Sequence, residues 1–241
     1  MKAAAFFDID GTLYRDSLMI EHFKKLLKYE VVNEAIWHTT LKEKYENWQK
    51  RRGNYDDYMI DLAEAYIDSL IGMEKSKMEF VTDQVIKLQG DKVYMSTRDR
   101  ITWHQEQGHD VFFISGAPEY LVDRMANKYG ITDFVGTKYL MDENECFTGQ
   151  VIRMWDSDSK EVALKSLVKK YDIDLSQSYA YGDTHGDITM FKHVGHPVAI
   201  NPTHELLTAI REDETLRQTA QIIVERKDVI YLLTPDCTTT R

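Results

Sequence analysis

Four short segments set carboxylates, a hydroxyl and a lysine at or beside the points where apolar runs stop. The first is Asp8-Ile9-Asp10-Gly11-Thr12. Residues two apart in extended backbone point the same way, so Asp8 and Asp10 can share a face while Ile9 packs on the other. Carboxylates that close repel unless a proton or cation intervenes. Gly11 permits a sharp turn that brings backbone N–H groups toward an anion. A strand end followed by an Asp-Gly turn would explain the same residues without chemistry. The second is Gly182-Asp183-Thr184-His185-Gly186-Asp187, which follows an apolar run and opens a helical pattern through Ile188, Met190 and Phe191. Here the rival explanation is an N-cap aspartate with a first-turn acid. Joined at one sheet edge, Asp8, Asp10, Asp183 and Asp187 would repel strongly without a divalent cation. Hard oxygen ligands suit Mg²⁺, which keeps several waters and leaves room for a phosphate oxygen.

Ser115 closes the run Val111-Phe112-Phe113-Ile114 and precedes Gly116. Its hydroxyl and the adjacent N–H groups could bind a phosphoryl oxygen, helped by the helix N-terminus that follows; an N-cap serine is the plainer alternative. No Gly-x-Ser-x-Gly pattern surrounds it, so a serine nucleophile is not expected. Lys160 starts the helix that carries Leu164 and Leu167. A first-turn cation opposes the helix dipole, which a phosphate and an aspartate nucleophile would offset; otherwise it is a surface lysine.

The elements that must position these groups follow from periodicity. The runs Ala3–Phe7, Val111–Ile114, Ser178–Tyr181 and Val198–Ile200 suit buried parallel strands. Leu164, Leu167, Val168 and Tyr171 make one helix face, as do Leu121, Met125 and Tyr129 after Pro118. Strands alternating with helices predict a doubly wound α/β domain, and ligands of such sheets gather beyond the strand carboxyl ends. From about Arg15 to about Lys92 strand-like runs are scarce, and Ile60, Ala63, Ile67 and Leu70 or Ile71 keep helical spacing. That stretch reads as a helical insertion after the first strand. The end, from Thr234, reads as a loose tail.

The chain has 241 residues and a formal net charge of −10, which argues against a nucleic-acid surface. Its basic–aromatic patch, Lys50-Arg51-Arg52 beside Trp48 and Tyr55, reads as a solvated helix end. Cys146 and Cys237 give no disulfide framework, which fits a reducing compartment. The apolar opening is too short for a signal peptide or membrane span. A soluble cytoplasmic protein, monomer or homodimer, without a membrane partner is the expectation.

These four elements, in this order, resemble the haloacid dehalogenase (HAD) superfamily, and within it subfamily IB, the phosphoserine phosphatase-like group. The resemblance implies a Rossmann-like core, 1–14 and 93–241, with a helical-bundle cap of the C1 type over 15–92. It implies a Mg²⁺-dependent phosphatase acting on a small phosphorylated metabolite through an aspartyl-phosphate. Asp8 would be the nucleophile and a metal ligand. Asp10 would be the acid–base residue, its backbone carbonyl also on the metal. Asp183 would complete the protein ligands with Asp187 in support. Thr12, Ser115, Gly116 and Lys160 would bind the substrate, with Lys160 also restraining Asp8. The acid at Asp10 favours phosphate over halide chemistry. Alternatives are a phospho-accepting or phosphate-binding protein without turnover, or transfer to an acceptor other than water.

The chain departs from phosphoserine phosphatases at three places. Ser17 stands where their substrate-binding glutamate falls. The segment Asn54-Tyr55-Asp56-Asp57-Tyr58-Met59, with Ile60, Asp61 and Leu62 after it, offers no match for their cap arginine. Gly186 stands where asparagine is frequent. Arg51 and Arg52 upstream could compensate for the cap arginine, so these departures count against phosphoserine as the substrate without removing it.

Overall fold

Alternation along the strands decides the architecture. In β1 (Ala4–Phe7) the side chains of Ala5 and Phe7 enter one apolar cluster, and those of Ala4 and Phe6 enter another. The same split runs through β2 (Asp110–Pro118), where Val111 and Phe113 face one way and Phe112 and Ile114 the other. A strand buried on both faces needs helices on both sides, which is the doubly wound arrangement. Burying each of these phenylalanines is worth roughly 1.5–3 kcal/mol.

The computed structural model describes residues 2–35, 37–50, 52 and 55–239. Arg51 and Asn54 lie outside the described residues, as do the side chains of Trp48 and of Tyr55–Tyr58. The readings placed on the basic–aromatic patch and on the segment from Asn54 therefore fall there.

Six further strands complete one sheet: β3 (Asp133–Met141), β4 (Phe147–Ile152), β5 (Tyr179–Gly182), β6 (His196–Ile200), β7 (Gln221–Arg226) and β8 (Val229–Leu233). The order is β4-β3-β2-β1-β5-β6-β7-β8. The inner pairs are parallel, and the β3–β4 and β7–β8 pairs are antiparallel. The chain order reverses between β1 and β5, so a crevice opens beyond their carboxyl ends. Helices α7 (Ser157–Tyr171), α8 (Ile188–His193), α9 (His204–Glu212) and α10 (Glu214–Thr219) cover one face through Leu164, Phe191, Leu206, Ile210 and Leu216. The other face receives α5 (Met95–Glu106), α6 (Glu119–Tyr129) and the insertion.

The insertion comprises α1 (Leu18–Lys28), a π-helical turn (Trp37–Leu41), α2 (Lys42–Gln49), α3 (Tyr55–Leu70) and α4 (Lys75–Gln89). Its two ends meet where Tyr14 bridges Val93, with Arg15 N–H on the Lys92 carbonyl at 3.0 Å and Tyr94 N–H on the Leu13 carbonyl at 2.9 Å. Ser17 caps α1, whose Leu18, Ile20, Phe23 and Leu26 share the apolar cluster of Phe7 and Phe113. Two more ties join insertion to sheet. The α3–α4 connection hydrogen-bonds along the β3–β4 hairpin, Gly72 N–H to the Phe147 carbonyl at 2.8 Å and Phe147 N–H to the Met73 carbonyl at 3.0 Å. A buried polar chain runs from Thr82 (3.2 Å) to His22, from His22 Nδ1 to the Tyr66 hydroxyl (2.8 Å), and from Tyr66 to the Tyr120 hydroxyl of α6 (2.5 Å). Burial pushes His22 down to about 3, so its ring stays neutral there.

Three features differ from the sequence reading. Ile60 keeps helical spacing yet faces outward, 55% exposed, whereas of Leu70 and Ile71 it is Leu70 that is buried and Ile71 follows the helix end. The segment after Thr234 is pinned: Arg211 reaches the carbonyls of Pro235 and Cys237 and the Thr239 hydroxyl, and Arg217 pairs with Asp236 at 2.8 Å. Four strands, β3, β4, β7 and β8, were not read from the sequence, since their mixed exposure hides an apolar run. Among the described residues no helix is long and apolar enough to cross a membrane.

Replacing Tyr66 by Phe keeps the ring and strands two buried groups, His22 Nδ1 and the Tyr120 hydroxyl. We expect a loss of about 1–3 kcal/mol, read as a lower urea midpoint with an unchanged slope.

Candidate active site

Asp8 follows β1 directly, and its N–H still bonds the Tyr181 carbonyl of β5 at 3.0 Å. The residue is 5% exposed. Lys160, on α7, is also buried and sets its Nζ 3.1 Å from Asp8 Oδ1 and 2.6 Å from Asp187 Oδ1. A surface role for this lysine is thereby excluded. Burial alone would lower the ammonium's pKa, but the carboxylates of Asp187 and Asp8 outweigh it and hold the lysine charged.

Asp187 is the hub of the loop after β5. Its Oδ2 accepts from the N–H groups of Asp183 and Thr184, both at 3.1 Å, and Thr184 caps the short 3₁₀ turn His185–Asp187. Asp183 thus sits in the loop rather than on a shared helix face with Asp187. Thr12 is fully buried and donates its hydroxyl to Asp183 Oδ1 at 2.9 Å, while the Thr203 N–H takes the Asp183 carbonyl at 2.8 Å. The backbone must come close here. A Cβ on Gly11 (φ +83°) would lie 2.1 Å from Asp183 Oδ2, and one on Gly182 would lie 2.4 Å from the Asp187 Cβ. Only glycine meets both demands at Gly11.

Oxygens of Asp8, Asp183 and Asp187 fall within 4.8 Å of one another. Burial pushes Asp8 up to about 6, Lys160 restrains that rise and Asp187 adds to it. Asp183 is raised well above the carboxylate range by burial and by Asp8 and Asp187, with the Thr12 hydroxyl opposing. One ammonium cannot neutralise three carboxylates.

Asp10 turns the other way, toward the insertion. Ser17 Oγ donates to its Oδ2 and Leu18 N–H to its Oδ1, each at 2.9 Å. Burial pushes Asp10 up to about 7, the Leu18 N–H opposes and Asp8 adds to the rise. The first turn of α1 therefore grips this carboxyl and balances it near neutrality.

Ser115 is fully buried within β2 and accepts from Ala117 N–H at 3.2 Å. It does not cap α6, which begins at Glu119 with Pro118 at the N-cap position. Gly116 passes so close to Trp155 that an added Cβ would lie 2.9 Å from the Trp155 Cβ. His185 is exposed beside the site, whereas His193 pairs with Glu161 at 2.9 Å and His196 stacks on Tyr179.

The structure thus brings Asp8, Asp183, Asp187, Lys160 and Thr12 together, with Asp10 alongside. Three contributions escaped the sequence reading: Ser17 as the donor to Asp10, Thr184 as the cap that orders Asp187, and Thr12 as the donor to Asp183. For Ser17 the signal was present, a serine immediately before the apolar helix start Leu18-Met19-Ile20. The partners of the two threonines lie about 170 positions away or inside a turn, beyond any local pattern.

Comparison with known proteins matches residues 5–192 to the haloacid dehalogenase-like hydrolases. The chain is 29% identical over 217 residues to the phosphoserine phosphatase SerB1 of Mycobacterium tuberculosis, covering 88% of this chain and 69% of that one. It is 27% identical over 208 residues to the inhibition of morphological differentiation protein of Streptomyces azureus, covering 85% and 74%. Among solved structures, a phospho-aspartyl intermediate analogue of phosphoserine phosphatase superposes with a TM-score of 0.61 at 19% identity, covering 94% and 95%. That likeness shows the fold.

The raised carboxyls predict a pH dependence of stability without any cation. Asp8 and Asp10 ionise near 6 and 7 in the folded chain and near 3.8 when unfolded. Between those values the folded state binds more protons, so stability falls as pH rises. In chelator the melting temperature should drop between about pH 4.5 and 7.5. A flat or rising curve would show that these carboxyls are not raised.

Proposed function

The chain belongs to the haloacid dehalogenase-like hydrolase family, and we propose that it is a Mg²⁺-dependent phosphatase of small phosphomonoesters that works through an aspartyl-phosphate on Asp8. The observation that carries this reading is the buried Lys160 ammonium locked between Asp8 and Asp187 beside the Asp183 carboxylate. The relatives named as phosphatases support the reaction class.

A divalent cation suits the donors. They are all oxygens, they carry excess negative charge, and no side-chain donor engages the second oxygen of Asp8 or Asp183 among the described residues. Asp8, Asp183 and the Asp10 backbone carbonyl would hold the ion. Asp187, whose two oxygens are already engaged by donors, would support through the Asp183 N–H. When bound, Mg²⁺ supplies charge neutralisation for a phosphoryl oxygen.

The residues then divide the work. Asp8 attacks phosphorus in line, the ester P–O bond breaks, and the leaving oxygen takes a proton from Asp10. A group balanced near 7 is still substantially protonated at neutral pH, as an acid for an alkoxide must be. Asp10, now a carboxylate, takes a proton from water as that water attacks the aspartyl-phosphate. Phosphate leaves and Asp8 is restored. Lys160 holds Asp8 in place and, with Ser115 and the Gly116 backbone, offers positive and donor character to the phosphoryl oxygens. Thr12 acts through Asp183, to which its hydroxyl is committed. The segment 15–92 serves as a cap over the core 1–14 and 93–241, and it reaches the chemistry where Ser17 and Leu18 grip Asp10. The unpaired Cys146 and Cys237 fit a cytoplasmic location.

The test is phosphate release from a panel of phosphomonoesters, phosphoserine included, with Mg²⁺ or EDTA. We expect Mg²⁺-dependent release, at least about 10³-fold lower in Asp8→Asn. Release that survives either EDTA or Asp8→Asn would remove the mechanism.

A further inference from the structure

Strand β8 is an edge with little of the protection that edges usually carry. It reads Val229-Ile230-Tyr231-Leu232-Leu233, contains no charge and no proline, and lies last in the sheet order. Val229, Ile230, Tyr231 and Leu232 are 44%, 38%, 49% and 62% exposed. No strand of the described residues pairs with its outer side. Folded proteins blunt such edges with lysine, proline or a bulge, because unpaired N–H and C=O groups template another strand.

We propose that β8 pairs antiparallel with β8 of a second copy of this chain, joining the two sheets across a two-fold axis. The register follows from geometry. Arg226 and Val229 flank the two-residue turn Lys227-Asp228, with Lys227 at φ +55°, and so form a hydrogen-bonded pair. Counting on by twos, Val229, Tyr231 and Leu233 turn their N–H and C=O groups toward β7. Ile230 and Leu232 therefore present theirs outward. A two-fold axis perpendicular to a sheet sets residues of the same face opposite one another, so it must pass through a residue position. Centring on Tyr231 gives the greatest overlap, and it is also the register the outward groups demand. Ile230 of each copy exchanges both backbone hydrogen bonds with Leu232 of the other, four bonds in all. The two Tyr231 rings meet across the axis on the face where Val229 meets Leu233.

Charge agrees with this pairing. No like charges oppose one another within the ladder. The tail does not obstruct the edge, because Arg211 and Arg217 draw Pro235–Thr239 back onto the α9 and α10 side. Two five-residue strands bury little area, at or below the ~1,200 Å² low end of specific complexes. An interface this small makes the dimer concentration-dependent.

Sedimentation velocity over a protein concentration series tests this directly. The wild type should pass from monomer to dimer with rising concentration. Tyr231→Lys, which sets like charges opposite each other at the axis, should stay monomeric while keeping the wild-type melting temperature. Tyr231→Glu should do the same, and an equimolar mixture of the two variants should regain the dimer. A wild type that remains monomeric at every concentration would overturn the proposal and leave the edge to some other partner. So would a dimer that Tyr231→Lys does not weaken, since a different surface would then hold it.

Discussion

The buried ammonium of Lys160 is the constraint on which the site depends. It reaches Asp8, at the end of the central strand, and Asp187, in the loop beyond its neighbour. Two carboxylates could not be withdrawn from water at these places without a cation between them. Asp187 then passes the constraint on, since its other oxygen fixes the backbone of Asp183 and Thr184. One side chain on α7 therefore sets the spacing of groups contributed by three separated stretches of sequence. The glycines are the counterpart of that compression. With any Cβ at Gly11 or Gly182, the carboxylates would lose the room they occupy.

Excess acid is the second half of the design. After Lys160 has balanced one charge, Asp8, Asp10 and Asp183 remain raised, chiefly by burial. A site with this surplus is poorly served by water and well served by a hard cation together with a ligand that brings oxygens to it. Asp10 stands apart because its donors come from the insertion. The same serine that starts α1 grips the carboxyl whose proton the proposed chemistry moves. The Asp10 carboxyl is thus coupled to the placement of the insertion, which the hairpin contacts and the His22–Tyr66–Tyr120 chain hold against the sheet.

Much of this was legible in the sequence, for physical reasons. Strands buried on both faces must read as apolar runs, so β1, β2, β5 and β6 announced themselves. The polar residues at or beside their ends marked the crevice. The helical insertion showed in spacing, although that spacing did not tell which of Ile60 and Ile67 turns inward; the structure exposes Ile60 and buries Ile67. The outer strands were hidden because only some of their side chains are buried. The tail was misread because a polar, proline-containing segment looks loose until the arginines that tie it, Arg211 and Arg217, are brought near by folding. The Thr12–Asp183 bond was invisible for the same reason. Spacing shows which residues share a local face, and it cannot show which distant face they will meet.

The account turns on Asp8 becoming covalently phosphorylated. The most direct measurement is mass spectrometry of the Asp8 peptide from enzyme mixed with a hydrolysed phosphomonoester and Mg²⁺, then quenched in acid within the first turnovers. The account predicts a phosphate adduct on Asp8 that appears with substrate and decays as substrate is exhausted. Rapid phosphate release with no adduct on Asp8, or with the adduct on another residue, would contradict it.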